Sequence, residues 1–588
     1  MRKKYFFDRI KIEKIKQEGE KMKDKRASYE AEPIRDFREL IARTEKVDPS
    51  HIAYKYKIKY DKENIEYVCK TYSTFKKDIE ALSTSLLDLG LQGKKIALIS
   101  SNRYEWCTTY LAVTTGDMII VPLDKALPEN ELQSLLQRSG AEAVVCEAKY
   151  ISAIKNTKDS QLKHIIVMDE TTEADCISYE ELRLRGRKMR KDGNRAYEAI
   201  TIDPEKISII LFTSGTTSTP KGVMLSQRNI CSNVQAIGMY SRMLPTDTLL
   251  SILPIHHTLE CTITFLVGTY FRSTIAFCEG LKSIPKNMQE FQVSAFIGVP
   301  LILESMHKKI WKGIEEQGKT KLIKFMIGLT KILAKLGIDI RRKVFKPILD
   351  QLGGYLRIVF VGAAPLDKKI IQGFNDFGIE LVQGYGLTET SPVVSCESDT
   401  KKKPGSIGFP LSNLELKIVD PDSDGVGEIT VKGPSVMLGY YKNEEATKKA
   451  MQDGWFSTGD FGYLDKKGYL YISGRKSDII VLKNGKNIYP QELEFLINKL
   501  DMVEESMVFA RNRNSMDTSL CAKIVCSENA LEGKTQEEKK EMVWKEVQKI
   551  NETLPAVKHI KEVIISEEPL AKTTTQKVKR YVEIQKTK

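Results

Sequence analysis

The stretch ISIILF-TSGTTSTPKG, residues 207–222, is the part of the sequence that is most informative about the fold. Its first six residues form an apolar, β-branched run that predicts a buried strand. In the loop that follows, Gly215 and Gly222 allow a ligand to approach the backbone closely, and six Ser and Thr hydroxyls can donate hydrogen bonds. Lys221 supplies a positive charge. A strand followed by such a loop predicts a binding site for the phosphate groups of a nucleotide.

The residue order of this loop differs from that of a Walker A motif. That motif places lysine after its second glycine, in the pattern GxxxxGK[ST], whereas here Lys221 precedes Gly222 and Val223 follows it. A P-loop ATPase or kinase is therefore disfavoured. A run of Ser, Thr and Gly is also typical of a flexible linker, and it is the preceding apolar strand that favours a ligand loop.

Strand and helix patterns alternate through the first two-thirds of the chain, which predicts parallel βαβ units. The predicted strands are 96–100 (IALIS), 118–122, 143–146, 356–361 (LRIVFV) and 379–382 (IELV). Helices are predicted over 104–112 and 128–138, and Asp367 is the predicted N-cap of another. Ligands of open α/β sheets bind at the carboxyl ends of strands, so we expect the 213–222 loop and the sequence QGYGLTET after residue 382 to line one site.

The pattern changes after Gly405 to short antiparallel strands, at 427–433 and at 462–473 with a turn at 465–468. A length of 588 residues exceeds what one core supports. We predict an α/β protein with a large N-terminal domain of α/β subdomains and a small β-barrel-like part over residues 28–474. A boundary at 475–478 and a small α+β C-terminal domain at 479–588 follow, and residues 1–27 form a basic N-terminal appendage.

Composition excludes several classes of protein. The most apolar stretch, 265–278, is interrupted by Arg272 and is shorter than the roughly 18 residues of a membrane span. The N-terminus has no apolar core or cleavage site of a secretory signal. The ten cysteines are scattered without metal-ligand spacing, which predicts reduced thiols and a cytoplasmic location.

The net charge of +13 is concentrated in one segment, where residues 305–347 hold twelve Lys and Arg against three acidic residues. The same segment carries apolar residues at helical spacing, so it predicts basic amphipathic helices. Two interpretations stay open: a surface helix that buries one face in the protein's own core, or a helix that binds an anionic membrane surface. Nucleic acid is disfavoured, because no recognised binding motif accompanies the charge.

Six motifs in order give the chain a resemblance to a known family. They are TSGTTSTPKG (213–222), VGAAPL (361–366), YGLTET (385–390), WFSTGD (455–460), GRKSDIIVLKNGKNIYPQELE (474–494) and KTTTQKVKR (572–580). Over residues 35–588 the chain resembles the acyl-adenylate-forming superfamily, and within it the AMP-forming acyl-CoA synthetases. This resemblance implies that ATP and a carboxylate form an acyl-adenylate, which then reacts with coenzyme A.

The resemblance also implies roles for particular residues. Thr388 would contact the α-phosphate and Glu389 would bind Mg²⁺, a cation that prefers oxygen ligands. Alone, Glu389 would also fit a charge at a helix N-terminus. Tyr385 would stack on adenine, while Asp460 and Arg475 would bind the ribose. The full set of implied ATP-binding residues is Thr213, Ser214, Gly215, Thr216, Thr217, Lys221, Gly362, Ala363, Ala364, Pro365, Gln383, Gly384, Tyr385, Gly386, Asp460 and Arg475.

The C-terminal domain would be mobile and would turn about the 475–478 hinge between two half-reactions. Lys577 takes the position of the family's adenylation lysine, which bridges the substrate carboxylate and the α-phosphate. Gln576 replaces the usual glycine before it, a residue that tolerates positive φ where glutamine does not, and Ser477 departs from the usual hinge residue. Lys483, Gly485 and Lys486 would face coenzyme A, although a plain hairpin turn is an alternative.

The segment LPIHHTLE (253–260) resembles the part of the family that closes the acyl pocket. His257 and His256 would close this pocket or serve as structural histidines. No aspartate is present there to bind an amine, so an amino acid substrate is disfavoured. The helical insert at 305–350 resembles that of bacterial long-chain fatty acyl-CoA synthetases. We therefore expect a cytoplasmic long-chain fatty acid:CoA ligase, peripheral at the inner membrane face if the insert binds lipid. The alternatives are transfer to an acyl-carrier protein and a non-catalytic nucleotide- or lipid-binding relative.

Overall fold

The computed structural model describes residues 26–59, 64–213, 220–481, 487–514, 517–527, 530–572 and 578–587. The longer helices are Phe37–Val47, Tyr72–Asp88, Tyr104–Thr115, Glu129–Ser139, Tyr179–Lys191, Gln227–Gly238, Ile284–Glu290, Pro300–Glu316, Thr320–Lys335, Lys346–Gln351, Lys368–Asp376, Glu444–Ala450, Pro490–Ile497, Gln536–Glu552 and Arg580–Gln585. The predicted helices at 104–112 and 128–138 are confirmed within a few residues. The side chain of Asp367 caps its helix by accepting a hydrogen bond from the amide of Lys369, as predicted.

Within the described residues, one large sheet has nine strands, and its central strands run parallel. In spatial order they are Phe409–Pro410, Val393–Cys396, Glu380–Gly386, Ile358–Val361, Ala295–Gly298, Thr248–Ser251, Thr274–Phe277, Ile52–Lys59 and Ile65–Thr71. Val393–Cys396 runs antiparallel to both of its neighbours, and at the other edge Ile65–Thr71 runs antiparallel to Ile52–Lys59. The strand predictions at 356–361 and 379–382 lie side by side here, with Ile358 opposite Glu380.

A second sheet has eight strands in the described part of the chain. Their order is Gly439–Tyr440, Lys221–Ser226, Ile207–Thr213, Ile119–Pro122, Lys95–Ile99, Ala143–Cys146, His164–Val167 and Ile177–Ser178. From Ile207–Thr213 onward the strands are parallel, which confirms the βαβ prediction, and Lys221–Ser226 runs antiparallel to both of its neighbours.

One continuous hydrophobic core joins the two sheets. It contains Ile96 and Ile209 from one sheet together with Ile275 and Ile358 from the other, all of them buried. The helix Tyr104–Thr115 lies in this core, where the ring of Trp106 stacks on Tyr110 with centroids 5.3 Å apart. Burial of apolar surface is the main favourable term in folding, so this shared core holds the sheets in a fixed relation.

The small β part of the N-terminal domain is an antiparallel sheet. Its strands are Glu415–Val419, Gly427–Lys432, Trp455–Leu464 and Met451–Gln452, with Leu470–Arg475 paired to Trp455–Leu464. The predicted turn at 465–468 connects two of these strands. The antiparallel strands predicted after Gly405 are confirmed. Trp455–Leu464 pairs with three of the other strands: Gly427–Lys432, Met451–Gln452 and Leu470–Arg475.

The C-terminal part has its own core. The strand Val503–Asn514 pairs antiparallel with Asp517–Cys526, which pairs parallel with Ile560–Ser566. The helices Pro490–Ile497 and Gln536–Glu552 cover this sheet with buried residues such as Leu493 and Val543. A short pair, Ile480–Val481 with Asn487–Ile488, precedes it. The α+β prediction for this region is confirmed, and Pro490 lies in the first turn of its helix as predicted.

The helix Gln227–Gly238 connects distant parts of the chain through two buried asparagines. Its N-terminus is a capping box between Ser226 and Asn229. The Asn229 amide also donates to the carbonyl oxygens of Pro434 and Val436, at 2.7 and 2.9 Å. Asn233 donates to the carbonyl of Val393 at 2.7 Å and accepts from its amide at 3.2 Å. The helix that follows the second sheet is thereby bonded to the edge of the first.

We expect Asn233→Ala to lower the free energy of unfolding by about 2–3 kcal/mol, because it leaves a buried backbone amide and carbonyl without partners. Thermal unfolding followed by circular dichroism measures the effect. The exposed Asn130, on the helix Glu129–Ser139, gives the matched control Asn130→Ala. Equal melting temperatures for the two variants would show that the asparagine does not hold the sheet edge.

Candidate active site

The 213–222 segment begins and ends in paired strands. Thr213 lies opposite Lys221 in the antiparallel pair Ile207–Thr213 with Lys221–Ser226. The Thr213 hydroxyl donates to the Lys221 carbonyl at 3.4 Å. Of the predicted ligand residues here, Ser214, Gly215, Thr216 and Thr217 lie outside the described residues. Both ends of the loop are therefore set by a hairpin, at the carboxyl end of a central strand.

Arg138 supports this hairpin from a neighbouring helix. Its guanidinium donates to the carbonyl oxygen of Pro220 at 2.7 Å and lies 5.5 Å from the ring centroid of Phe212. Gly222 packs tightly, since a Cβ built on it would lie 3.2 Å from Ile210 and from Tyr441. Sequence reasoning missed Arg138, because an arginine near a helix C-terminus is ordinarily a surface charge.

Lys221, Tyr440 and Glu389 form a contact between the two large sheets. The Lys221 ammonium lies 5.1 Å from the centroid of the Tyr440 ring. The Tyr440 hydroxyl donates to Glu389 Oε1 at 3.0 Å. Burial and the negative charge of Glu389 raise the pKa of Tyr440, so the phenol stays protonated and donates. Tyr440 belongs to the edge strand of one sheet, and Glu389 follows a strand of the other.

The YGLTET motif forms a one-turn 3₁₀ helix over Thr388–Thr390. The backbone carbonyl of Glu389 accepts from the amide of Met437 at 2.8 Å. The Thr388 hydroxyl lies 3.4 Å from that of Thr258, which brings the motif against the LPIHHTLE segment. Glycine is required just before it, because a Cβ on Gly386 would overlap the carbonyl oxygen of Pro392.

Tyr385, Asp460 and Arg475 lie together. The Tyr385 hydroxyl donates to Asp460 Oδ2 at 2.7 Å, and the Arg475 Nε lies 3.3 Å from Asp460 Oδ1. Asp460 and Arg475 face each other across two antiparallel strands, which explains their spacing in sequence. Burial, followed by the charge of Asp460, raises the pKa of Tyr385. Three residues predicted separately thus form one polar cluster around a buried carboxylate.

The VGAAPL loop follows the parallel strand Ile358–Val361 and exposes Ala363, Ala364 and Pro365. Ala363 adopts a φ of 73°, a conformation that costs free energy for a residue other than glycine and is often found at ligand sites. Gly362 is buried against Leu259. The loop therefore borders the LPIHHTLE segment.

Gln383 and Gly384 lie on the strand Glu380–Gly386, which ends at the same motif. Gln383 is buried, and its backbone amide donates to Glu397 Oε2 at 3.0 Å. Burial raises the pKa of Glu397. These contacts fix the strand from which Tyr385 and Gly386 extend.

The LPIHHTLE segment is held by Asn102, a residue that sequence reasoning missed. The Asn102 amide donates to the carbonyl oxygen of Leu253 at 2.7 Å, and its oxygen accepts from the amide of Ile255 at 3.1 Å. His257 caps the short helix Thr258–Glu260 by accepting from the amide of Leu259 at 3.3 Å. Asn102 follows the strand Lys95–Ile99, so the carboxyl end of a strand was the available signal.

His256 lies with its Nε2 3.6 Å from Asp124 Oδ2. Burial lowers the pKa of His256, which the charge of Asp124 partly offsets. The imidazole also borders a small enclosed space whose other walls include Tyr110, Ile230 and Cys261. His256 therefore sits between the polar segment and an apolar interior.

Glu260 is fully buried at the end of the same segment. Among the described residues, neither of its carboxylate oxygens has a partner with hydrogen-bond geometry. Burial raises the pKa of Glu260 to about 8, although the nearby hydroxyls of Ser251 and Thr264 oppose the rise. A carboxyl group in this setting is neutral at pH 7.

Several predicted residues lie outside the described residues: Lys483, Gly485, Lys486, Gln576 and Lys577. The two ends of the Lys577 segment are described, and they are paired. Lys572 bridges Val578, and the Lys579 amide donates to the Ala571 carbonyl at 2.7 Å. Ser477, in the expected hinge, donates to Asp478 at 2.9 Å.

Comparison with known proteins identifies the family to which the chain belongs. The AMP-binding enzyme family matches residues 42–441, and the AMP-binding enzyme C-terminal domain matches residues 477–586. The chain is 29% identical over 482 residues to fatty acyl-CoA synthetase B of Dictyostelium discoideum, covering 76% of this chain and 70% of the relative. It is 30% identical over 480 residues to long-chain-fatty-acid–CoA ligase 5 of Rattus norvegicus, covering 74% and 68%. The chain belongs to the AMP-binding enzymes and, within them, to the AMP-forming acyl-CoA synthetases.

The fold is also that of a solved structure, the anthranilate CoA ligase AuaEII in complex with anthranoyl-AMP. The TM-score is 0.75, and the match covers 94% of this chain and 97% of the other at 18% identity. This similarity confirms the predicted fold class of a large N-terminal domain with a smaller C-terminal one.

Glu260 generates a pH prediction. Because its folded-state pKa lies above the ordinary value, its contribution to stability is complete below about pH 4 and is lost as the pH rises to about 8. We expect Glu260→Gln to remove this loss. Between pH 5 and 8, the free energy of unfolding of the variant should therefore rise relative to that of the wild type by up to about 1.4 kcal/mol per pH unit.

Thermal unfolding from pH 5 to pH 9 measures this slope. Glu315→Gln, at an exposed glutamate on the helix Pro300–Glu316, controls for the loss of a carboxylate. Stability curves of Glu260→Gln and wild type that run parallel across this range would contradict a neutral buried Glu260.

Proposed function

We propose that the protein is a long-chain fatty acid:CoA ligase that forms AMP. In the first half-reaction a carboxylate oxygen of the fatty acid attacks the α-phosphorus of ATP, and pyrophosphate leaves. In the second the thiol of coenzyme A attacks the acyl carbonyl carbon, and AMP leaves. The observation that carries the proposal is the set of direct contacts from Lys221 through Tyr440 to Glu389, and from Thr388 to Thr258. It joins the predicted phosphate end to the predicted acyl end.

The ATP would lie along this set of contacts. The 213–217 loop and Lys221 would hold the β- and γ-phosphates, and Thr388 the α-phosphate, where fixed donors stabilise the charge that develops during transfer. Asp460 can accept hydrogen bonds from ribose hydroxyls, and Arg475 keeps that carboxylate oriented. The exposed 363–365 segment and Tyr385 would border the adenine.

Glu389 fits the position of a magnesium ligand. Tyr440 occupies only one hydrogen-bonding direction of its carboxylate, and Mg²⁺ commonly takes one or two protein carboxylates together with phosphate oxygens and water. When bound, the ion would neutralise charge on the phosphates. Within this chain, the role of Tyr440 is to hold the Glu389 carboxylate in one orientation.

The fatty acid would enter beside His257 and His256. The short helix begun by His257 presents Thr258 to Thr388, so the acid's carboxylate would meet the α-phosphate at this point. The small space behind His256, about 10 Å³ in volume, is lined by Tyr110, Ile230 and Cys261, which an alkyl chain could contact. An acyl chain would require this space to widen.

The C-terminal part would supply a different face for each half-reaction. We propose the boundaries 28–474, 475–478 and 479–588 for the N-terminal domain, hinge and C-terminal domain, with 1–27 as an appendage. Lys577 would bridge the carboxylate and the α-phosphate during adenylation. Lys483, Gly485 and Lys486 would face coenzyme A after the C-terminal domain has turned.

We also propose a cytoplasmic location. The cysteines within the described residues are free, and six of them are buried, as expected in a reducing compartment. No helix in the described ranges has the length and apolar character needed to cross a bilayer.

The activity is tested by following pyrophosphate exchange into ATP, and separately AMP release, with saturated acids from about C6 to C20. We expect exchange that requires a fatty acid, and thioester formation that requires coenzyme A. If product forms only when an acyl-carrier protein is supplied, that protein and not coenzyme A is the acyl acceptor. Absence of exchange with every acid would leave a non-catalytic binding protein and overturn the proposal.

We expect Lys577→Ala to abolish adenylation while preformed acyl-adenylate still reacts with coenzyme A. The lysine charge is needed only where the carboxylate approaches the α-phosphate, a step that charge stabilisation accelerates by about a hundredfold or more. Lys579→Ala, two residues further on, is the matched control. Equal loss of both half-reactions in Lys577→Ala would contradict the assigned role.

Tyr440→Phe tests how Glu389 is oriented. Removing the hydroxyl is expected to raise the Mg²⁺ concentration for half-maximal adenylation roughly tenfold, as the loss of an outer hydrogen bond to a metal ligand commonly does. Tyr441→Phe is the control, since that hydroxyl contacts the Ser139 carbonyl at 3.4 Å instead. An unchanged Mg²⁺ requirement in Tyr440→Phe would remove Tyr440 from this role.

A further inference from the structure

The helix Thr320–Lys335, here called the insert helix, carries an exposed apolar stripe. Phe325 is 67% exposed, and Leu336, just after the helix, is 71% exposed. The exposed members follow one another at intervals of three and four residues, which aligns them along one side: Leu322, Phe325, Leu329, Ile332 and Leu336. Contiguous apolar surface of this kind on a soluble protein marks an interaction site.

The stripe is separate from the face that attaches the helix to the protein. Ile327 and Thr330 are buried, and Ile323 and Met326 pack against the same core as Phe374 and Phe377. Lys331 adds an ion pair with Asp376, at 2.9 Å. The prediction that the helix buries one face in the protein's own core is therefore correct, and it accounts for only one of the two apolar faces.

The insert helix has a one-sided charge. It contains four lysines and no Asp or Glu. On a helical projection, Lys321, Lys335 and Lys324 all lie on one side of the stripe, with Lys321 next to it and the other two further round the helix. Each of these three is exposed. An apolar stripe bordered by lysines is the pattern of a helix that lies in the plane of a membrane surface.

We propose that the insert helix docks on a bilayer that contains anionic phospholipid. The apolar stripe would enter the boundary between headgroups and acyl chains, and the flanking lysines would contact the phosphates. The proposal rests on the proposed function in one respect, the identity of the substrate. A long-chain fatty acid partitions into the same bilayer, so docking would place the enzyme at its substrate.

A second copy of the chain is the competing occupant, because spacing of three and four residues also suits a helix pair. Charge argues against it. Pairing two stripes would bring Lys321, Lys324 and Lys335 of one copy close to lysines of the other, and the helix has no acidic residue to compensate them. An anionic surface satisfies both the apolar stripe and the lysines.

Co-sedimentation of the full-length protein with sucrose-loaded vesicles tests the proposal. One set of vesicles is phosphatidylcholine alone, and the other contains 30% phosphatidylglycerol. We expect binding to the anionic vesicles at least tenfold stronger than to the neutral ones, and weaker at high salt. Equal binding to both sets, or none to either, would overturn the proposal.

Two variants separate the contributions. Phe325→Ser with Ile332→Ser removes the centre of the stripe, and Lys321→Gln with Lys324→Gln and Lys335→Gln removes the flanking charge. We expect each to reduce binding to anionic vesicles at least tenfold. The charge control is Lys466→Gln with Lys540→Gln and Lys545→Gln, which changes three exposed lysines elsewhere and is expected to bind as wild type does.

Two further measurements keep the outcomes distinct. Adenylation of a water-soluble C6 acid is expected to be unchanged in all three variants, which shows that they are folded. Loss of this activity in the wild type would mean that the proposed function has failed, whatever the vesicle binding. Sedimentation velocity reports self-association. A dimer that Phe325→Ser with Ile332→Ser dissociates, together with vesicle binding that the same variant leaves unchanged, would assign the stripe to a second copy and overturn membrane docking.

Discussion

The contact between Tyr440 and Glu389 is the interaction on which the site depends. Tyr440 ends the edge strand of one sheet, and Glu389 follows a strand of the other, so one hydrogen bond of 3.0 Å joins the two walls of the site. It can do so because a shared hydrophobic core already holds the sheets together. Polar contacts then align the strand ends, as the two asparagines of the helix Gln227–Gly238 illustrate.

The same region shows how burial tunes its charged groups. Asp460 is buried, yet it is satisfied by Tyr385 and Arg475. Glu260 is buried without such partners, and its pKa rises to about 8. A carboxylate meant to accept from a ligand needs a cation or donor to stay ionised, whereas a neutral carboxyl tolerates an apolar setting. Glu260 is therefore expected to be neutral at pH 7.

The basic insert combines both kinds of surface on a single helix. Ile327 and Thr330 attach it to the core, while the stripe that includes Phe325 and Ile332 faces outward. Helical periodicity predicts that apolar residues share a face, but this helix has more apolar residues than one buried face needs. The surplus, next to lysines without acidic neighbours in the helix, is what distinguishes a docking helix from a plain surface helix.

Local patterns in the sequence determined several of the strands, the ends of some helices and the ordered motifs, because hydrophobic periodicity and capping depend on neighbouring residues. They were sufficient for the parallel sheets, the Asp367 cap and the family. Tertiary structure decided which residues meet. Tyr440 and Arg138 carry no local signal, and Asn102 carries only its position after a strand, since each acts on a segment far away in the chain. The strand order of the small β sheet was likewise set by tertiary structure, because which strands pair depends on packing across the whole domain.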